Sequence, residues 1–100
     1  MLVTLCVLLT ATPGNVELLA EYEDRVLELL AAHGARLTAR VRSLDAPDAP
    51  HEVQLLEFPS EDALAAYMAD PARLALAELR ARAIAATQVV RVEDVLNRPT

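Results

Sequence analysis

The sequence predicts an α+β domain in which a four-stranded antiparallel sheet carries two helices on one face. Three observations predict it: an apolar, β-branched run near the N-terminus, two stretches with a 3.6-residue apolar period, and three further strand-like segments. Their order is β-α-β-β-α-β, the split βαβ arrangement. The 100 residues are expected to form one domain over 1–100, since domains usually contain roughly 50–250 residues.

The first strand is predicted at residues 2–10, because β-branched residues are frequent there and no helical polar stripe interrupts them. Its odd positions give one apolar face. Its even positions give a second face that is also largely apolar: Leu2, Thr4, Cys6, Leu8 and Thr10. Two apolar faces indicate that both sides of this strand are buried.

The first helix is expected to begin after Asn15 as its cap and to run to about His33. Acidic residues recur on one side at spacings of four, three and four, so one face is polar and the other packs on the sheet. Gly34 stands where a glycine commonly ends a helix.

Two strands are predicted at 35–44 and 51–58, joined by the proline-containing loop 45–50 and therefore antiparallel. Strict alternation in the first of them predicts two opposite faces. The polar face is Arg36, Thr38, Arg40 and Arg42, and the apolar face is Ala35, Leu37, Ala39 and Val41.

A second helix is predicted in two segments, 61–69 and 71–85, because Asp70-Pro71 interrupts it. Ser60 caps the first segment and Asp70 caps the second. The last strand covers 87–92. Residues 93–100 form a short extension that is expected to act as an edge or exchange segment.

Two helices cover only one face of such a sheet, and the other face is expected to contain too many apolar side chains for a monomer. From the alternation we expect this uncovered face to contain the arginine row of the second strand, Arg36, Arg40 and Arg42. The apolar residues expected on the same face are Leu2, Cys6, Leu8, Leu56, Phe58, Val90 and Val92. A second copy placed by two-fold symmetry is the simplest cover, so we expect a homodimer that pairs through this sheet face.

Charge and composition exclude several classes of function. The net charge of −6 disfavours nucleic acid and anionic membranes, which both require a cationic surface. The N-terminal apolar run lacks a basic start and is shorter than the roughly 20 residues that span a bilayer. We therefore expect a cytoplasmic protein. Cys6 is the single cysteine, so no internal disulfide can form.

The stretch Glu57-Phe58-Pro59-Ser60, with Ala63, Tyr67 and Asp70-Pro71 after it, resembles the dimeric α/β-barrel superfamily. It is most similar to small bacterial domains of unknown function related to antibiotic-biosynthesis monooxygenases. The resemblance implies a ferredoxin-like homodimer that forms an α/β barrel. It implies no single reaction, since members include cofactor-free oxygenases, haem-degrading enzymes, isomerases, dehydratases and ligand sensors.

His51 is the candidate catalytic residue, as a general base, and the alternative is an exposed histidine at a loop edge. The candidate substrate-binding residues are Arg40, Glu52, Thr4 and Tyr67. The arginine row either binds a planar oxyanion or pairs across strands with Glu52 and Gln54. No pair of His or Cys has ligand spacing, so neither a metal nor another cofactor is expected.

Two hypotheses of function stay open. One is a cofactor-independent enzyme, similar to monooxygenases or to isomerases and cyclases, that acts on an aromatic or polyketide-like substrate. The other is a non-catalytic dimer that binds a ligand or another protein. A cavity of a few hundred Å³ with His51 pointing into it would favour the enzyme, and an interface with every arginine ion-paired would favour the second hypothesis.

Overall fold

The computed structural model describes residues 2–45 and 47–96. The strands are β1 (Val3–Ala11), β2 (Arg36–Arg42), β3 (Glu52–Phe58) and β4 (Ile84–Val92). The helices are α1 (Val16–Leu27), α2 (Glu61–Met68), α3 (Pro71–Leu74) and α4 (Ala77–Ala83), and a 3₁₀ helix (Glu28–His33) extends α1. The predicted order of elements is confirmed, but the second helix is divided into three pieces and β4 begins three residues earlier than predicted.

All neighbouring strands are antiparallel, in the order β2-β3-β1-β4. The odd positions of β1 are buried together with Leu56 and Phe58 of β3, and Leu19 and Val26 of α1 pack in the same core. The register pairs Leu5 with Leu56, so side chains from both central strands point toward the helices. The predicted antiparallel sheet with helices on one face is confirmed.

Most of the predicted helix ends are confirmed. Gly34 has a φ of 69° and ends the 3₁₀ helix, a backbone conformation that favours glycine. Ser60 Oγ accepts a hydrogen bond from Ala63 N at 3.0 Å, and Asp70 caps α3. Asn15 differs, because its side chain makes no cap and its Nδ2 instead donates to Thr12 Oγ1 and the Arg82 carbonyl.

The predicted arginine face of β2 is wrong, because β2 contains a β-bulge. Leu37 pairs with Leu56 and Ala39 pairs with Leu55, which leaves Thr38 as one extra residue. One extra residue reverses the alternation. Arg36 therefore lies on the side away from the helices, paired with Glu57 at 2.7 Å, whereas Arg40 and Arg42 lie on the side of the sheet that the helices cover.

The face of the sheet opposite the helices is apolar at its centre, and we call it the open face. The expectation that Leu56 and Phe58 belong to it is wrong, since both are buried under the helices. The register assigns to it Val53 and Leu55 from β3 instead. Its apolar members are Cys6, Leu8, Ala39, Val41, Val53, Leu55, Val90 and Val92. Val41 is 58% exposed and Val92 37% exposed.

Among the described residues, no helix has the length and apolar character required to cross a membrane. Of the predicted extension 93–100, residues 97–100 lie outside the part of the chain that the structure describes.

Candidate functional site

A cavity of about 380 Å³ lies between the covered face of the sheet and helices α1, α2, α3 and α4. Its volume falls within the roughly 300–1,000 Å³ of small-molecule sites. Most of its lining is apolar and includes Leu5, Leu9, Val26, Leu56, Phe58 and Leu64. Thr87, Val89 and Arg91 of β4 also line it and are exposed, so the cavity opens to solvent along this edge strand.

Glu23 is a carboxylic acid within this apolar lining and is only 4% exposed. It lies on the face of α1 that packs on the sheet, between Leu19 and Val26. Gln54 Nε2 of β3 donates a hydrogen bond to Glu23 Oε1 at 2.7 Å. Burial raises the pKa of Glu23 above its ordinary value of 4.5, and the hydrogen bond from Gln54 opposes the rise. Glu23 is therefore suited to exchange a proton with a bound molecule.

Behind Glu23, a polar network fixes the orientation of Gln54. Gln54 Nε2 also donates to Glu52 Oε2 at 2.6 Å, and Arg40 Nε donates to the same Glu52 oxygen at 2.7 Å. Arg40 reaches Asp24 as well, at 2.6 Å. Arg40 thus neutralises two carboxylates, while Glu23 receives only an amide hydrogen bond in this network. The network therefore contains two carboxyl groups that form ion pairs with Arg40 and one, Glu23, that does not.

Tyr22 and Tyr67 contribute buried phenols to the cavity lining. Burial raises the pKa of both hydroxyl groups, and the charge of Arg73 opposes the rise. Both are therefore protonated at neutral pH and can donate a hydrogen bond. The ring of Tyr67 packs on Phe58 with centroids 5.5 Å apart.

Three arginines line the cavity and differ in their partners. Arg91 forms an ion pair with Glu61, with Nη2 and Oε2 3.0 Å apart. Arg80 Nη2 donates to Thr87 Oγ1 at 3.3 Å. Arg73 lies with its guanidinium carbon 5.4 Å from the centroid of the Tyr67 ring, and its Nε is buried without a hydrogen-bond partner in the described part of the chain. Within the described chain, Arg73 and Arg80 form no ion pair with a carboxylate.

The structure places only one of the predicted site residues, Tyr67, in the cavity lining. Arg40 and Glu52 contact each other as the cross-strand alternative predicted, and they reach the cavity only through Gln54. His51 Nδ1 accepts a hydrogen bond from Ala11 N at 3.0 Å, outside the lining. Thr4 lies on the open face. The roles assigned to these residues stay predictions.

Sequence reasoning missed Glu23, Gln54, Arg73 and Arg80 as lining residues. A usable signal existed for Glu23, since positions 19, 23, 26 and 30 follow the spacing of a helix face on which the other three residues are leucine or valine. A charged residue on an apolar helix face is unusual and marks a buried group. Arg73 and Arg80 gave no such signal, because their helices are only four and seven residues long.

The lining supplies proton donors, cations and one titratable carboxyl group. Among residues 2–45 and 47–96, no group of three or more His, Cys, Asp or Glu side chains could hold a metal ion. The chemistry available to the lining side chains is proton transfer at Glu23, hydrogen-bond donation by the phenols and binding of negative charge by the arginines.

The sheet order and the two layers define a ferredoxin-like α+β domain, as the resemblance implied. The chain belongs to the family described as "Domain of unknown function (DUF1330)", whose model matches residues 7–95. No curated protein matches the sequence.

Solved structures share this fold at low sequence identity. An antibiotic biosynthesis monooxygenase-like protein from Nitrosomonas europaea is 15% identical, with a TM-score of 0.77 over 98% of this chain and 94% of that one. A NIPSNAP domain protein from Burkholderia xenovorans is 23% identical, with a TM-score of 0.71 over 100% of both chains. A protein from Bacteroides fragilis, described as dimeric and of unknown function, is 17% identical with a TM-score of 0.65, over 93% and 96%.

Proposed function

We propose that this protein is a single-domain homodimer and a cofactor-independent enzyme that transfers a proton to or from an aromatic or polyketide-like substrate. The observation that carries the proposal is the cavity of about 380 Å³ with Glu23 buried in its apolar lining. A buried carboxyl group without a guanidinium partner is unfavourable for stability, so its presence in a cavity favours a chemical role.

The reaction begins when the Glu23 carboxylate removes a proton from a carbon next to a substrate carbonyl, which leaves the substrate as an enolate. The hydroxyl group of Tyr22 donates a hydrogen bond that stabilises the enolate oxygen, and that of Tyr67 adds a second when it turns from its 3.5 Å contact with the Val26 carbonyl. When Glu23 returns the proton to a different atom of the substrate, the product is an isomer of the substrate, and the enzyme is an isomerase. The raised pKa of Glu23 makes it a stronger base than an exposed glutamate.

The dimer part of the proposal rests on the open face. Eight apolar side chains from all four strands form it, and the helices lie on the other side. A contiguous apolar surface of this kind is rare on monomers. The Bacteroides fragilis structure, which has the same fold, is described as dimeric. Two open faces that pack together would form the α/β barrel.

Light scattering at micromolar concentration tests the dimer. We expect a particle of twice the 10.8 kDa of the chain, and V90D is expected to produce monomers, because it places a charge in the centre of the interface. The control is L74D, an exposed position on α3 outside the open face. A wild-type particle of about 11 kDa contradicts the dimer.

Deuterium exchange tests the enzyme. The probe is 2-tetralone, a bicyclic ketone with acidic C–H bonds next to its carbonyl, observed by proton NMR in D₂O. We expect the wild-type protein to accelerate exchange at least about tenfold over buffer, as is usual for a positioned general base. E23Q should abolish the acceleration, since glutamine keeps the hydrogen bond from Gln54 but accepts no proton.

The control for this experiment is E17Q, an exposed glutamate on the same helix that does not line the cavity. It should leave exchange unchanged. If 2-tetralone shifts the resonances of cavity residues but exchanges no faster than in buffer, the protein is the non-catalytic ligand-binding dimer of the alternative hypothesis. If it neither binds nor exchanges, a substrate of this class is contradicted.

A further inference from the structure

We propose that the molecule bound in this cavity is a planar aromatic compound with one carboxylate, which the guanidinium groups of Arg73 and Arg80 bind. The inference rests on the proposed small-molecule function and specifies the class of its ligand. It depends on the partners of the two arginines, on the balance of charge in the lining and on the shape and chemistry of the remaining surface.

Arg73 provides the most direct evidence. It lines the cavity, and its Nε is buried without a hydrogen-bond partner among residues 2–45 and 47–96. Leaving a buried donor unpaired is unfavourable, and more so for a charged group. The ring and the hydroxyl group of Tyr67 lie beside the guanidinium and hold it in place, but they leave its Nε without an acceptor in the described part of the chain. A planar oxyanion accepts two parallel N–H bonds from such a group.

Arg80 reinforces this site from the neighbouring helix. Both Arg73 and Arg80 act electrostatically on the hydroxyl group of Tyr22, so the two guanidinium groups lie near the same phenol. Four other arginines, Arg25, Arg36, Arg40 and Arg91, have carboxylate partners within 4 Å. Arg42 and Arg82 also have no such partner among the described residues, but they do not line the cavity, whereas Arg73 and Arg80 do.

The charge of the lining supports an anion. It contains three arginines and one glutamate, in a protein whose net charge is −6. Arg91 is neutralised by Glu61, and Glu23 contacts Gln54 on the sheet side. Glu23 also interacts electrostatically with Arg80, so that when Glu23 is ionised the charge of Arg73 has no counter-charge among the lining residues. In an apolar cavity the attraction between this charge and an anion is stronger than at the protein surface.

The remaining lining indicates the body of the ligand. Phe58, Tyr67 and Tyr22 present three aromatic rings beside aliphatic side chains. Aromatic rings pack favourably on other rings in stacked or edge-to-face arrangements. A volume of about 380 Å³ accommodates a bicyclic or tricyclic ring system. A carboxylate at one end of the ligand would bind the arginines while its rings contact the apolar part of the cavity lining.

Calorimetric titration with two matched probes tests the inference. The probes are 2-naphthoate, which carries the carboxylate, and 2-naphthamide, which has the same shape without the charge. We expect the wild-type protein to bind naphthoate at least about tenfold more tightly, the usual scale for a charge-assisted bidentate contact. R73M should remove this preference and leave naphthamide binding unchanged.

R80M is a second variant with the same expected direction and a smaller effect, since Arg80 is exposed. R82M is the control, because Arg82 lines the separate groove between α1 and α4. If naphthamide binds as tightly as naphthoate, or if R73M weakens both equally, the carboxylate inference is overturned while the small-molecule function stands. If neither probe binds the wild-type protein, both fail.

Discussion

Two groups of arginine contacts lie on the same side of the sheet and are built in opposite ways. Near β2 and β3, Arg40 is surrounded by acceptors: both oxygens of Glu52, one of Asp24 and the carbonyl of Ala20. Near α3 and α4, within the described residues, Arg73 has a buried Nε without an acceptor and the partners of Arg80 are hydroxyl groups. The first group is complete within the chain, and the second is not.

The contrast separates residues that hold the fold from residues that bind a ligand. A saturated network of charges stabilises one arrangement of side chains, because each member loses its partner if another moves. An unsaturated donor contributes nothing to folding and is costly to bury. Glu23 lies between the two groups. It accepts a hydrogen bond from Gln54, which belongs to the network of Arg40, and it interacts electrostatically with Arg80 on the cavity side. The difference can be tested by making the same substitution in each group.

The largest expected effect is that of R40M. It leaves Glu52, which is 3% exposed, without a counter-charge. Removing one partner of a buried ion pair costs about 3–5 kcal/mol, and the lower end of this range is expected because Arg40 is partly exposed. Urea unfolding should show this loss in the free energy of unfolding. An R40M protein as stable as the wild type would mean that the network near β2 and β3 does not hold the fold.

An intermediate effect is expected from E23Q, and it depends on pH. Because folding raises the pKa of Glu23, the native state binds more protons than the unfolded state above pH 4.5. Wild-type stability should therefore fall as the pH rises from about 4.5 to the raised value, and E23Q should lack this contribution. Urea unfolding at several pH values measures the difference, which should grow with pH in favour of E23Q. A constant difference contradicts a raised pKa.

The smallest effect on stability is expected from R73M. Methionine keeps the apolar part of the side chain and removes an Nε that has no partner among the described residues, but it also loses the contacts with Tyr67, so the free energy of unfolding should fall by less than about 1 kcal/mol. The same substitution is thus expected to be costly at position 40 and nearly neutral at position 73. Thermal unfolding of R40M and R73M measures the two losses of stability. An equal loss at both positions would contradict the contrast between the two groups of arginine contacts.

Much of the fold could be predicted from the sequence, because apolar periodicity and capping residues act locally. The alternation in β1 and the caps at Ser60 and Asp70 specify their own elements. The face of the arginines in β2 could not be predicted, since the bulge at Thr38 depends on how β2 pairs with β3. The alternation of polar and apolar residues along β2 gives no sign that the strand contains an extra residue.

The candidate site was less predictable than the fold. Tyr67 was recognised from its motif, but the other groups come from α1, β3, α3 and α4, which are distant along the chain. Their chemistry appears only when the helices pack on the sheet. His51 shows that a residue type does not give a position. Its type suggested a base, which stays a prediction, and the structure places it outside the cavity lining with its Nδ1 accepting the Ala11 N–H.

The extra residue at Thr38 has a genetic consequence. Loss of its single codon would make Leu37, Ala39 and Arg40 consecutive, and their partners Leu56, Leu55 and Gln54 are already consecutive in β3. The ladder would then run without a bulge, and Arg40 would stay on the covered side of the sheet. A three-nucleotide deletion at this codon, which preserves the reading frame, should therefore be less damaging than loss of any other codon of the same strand.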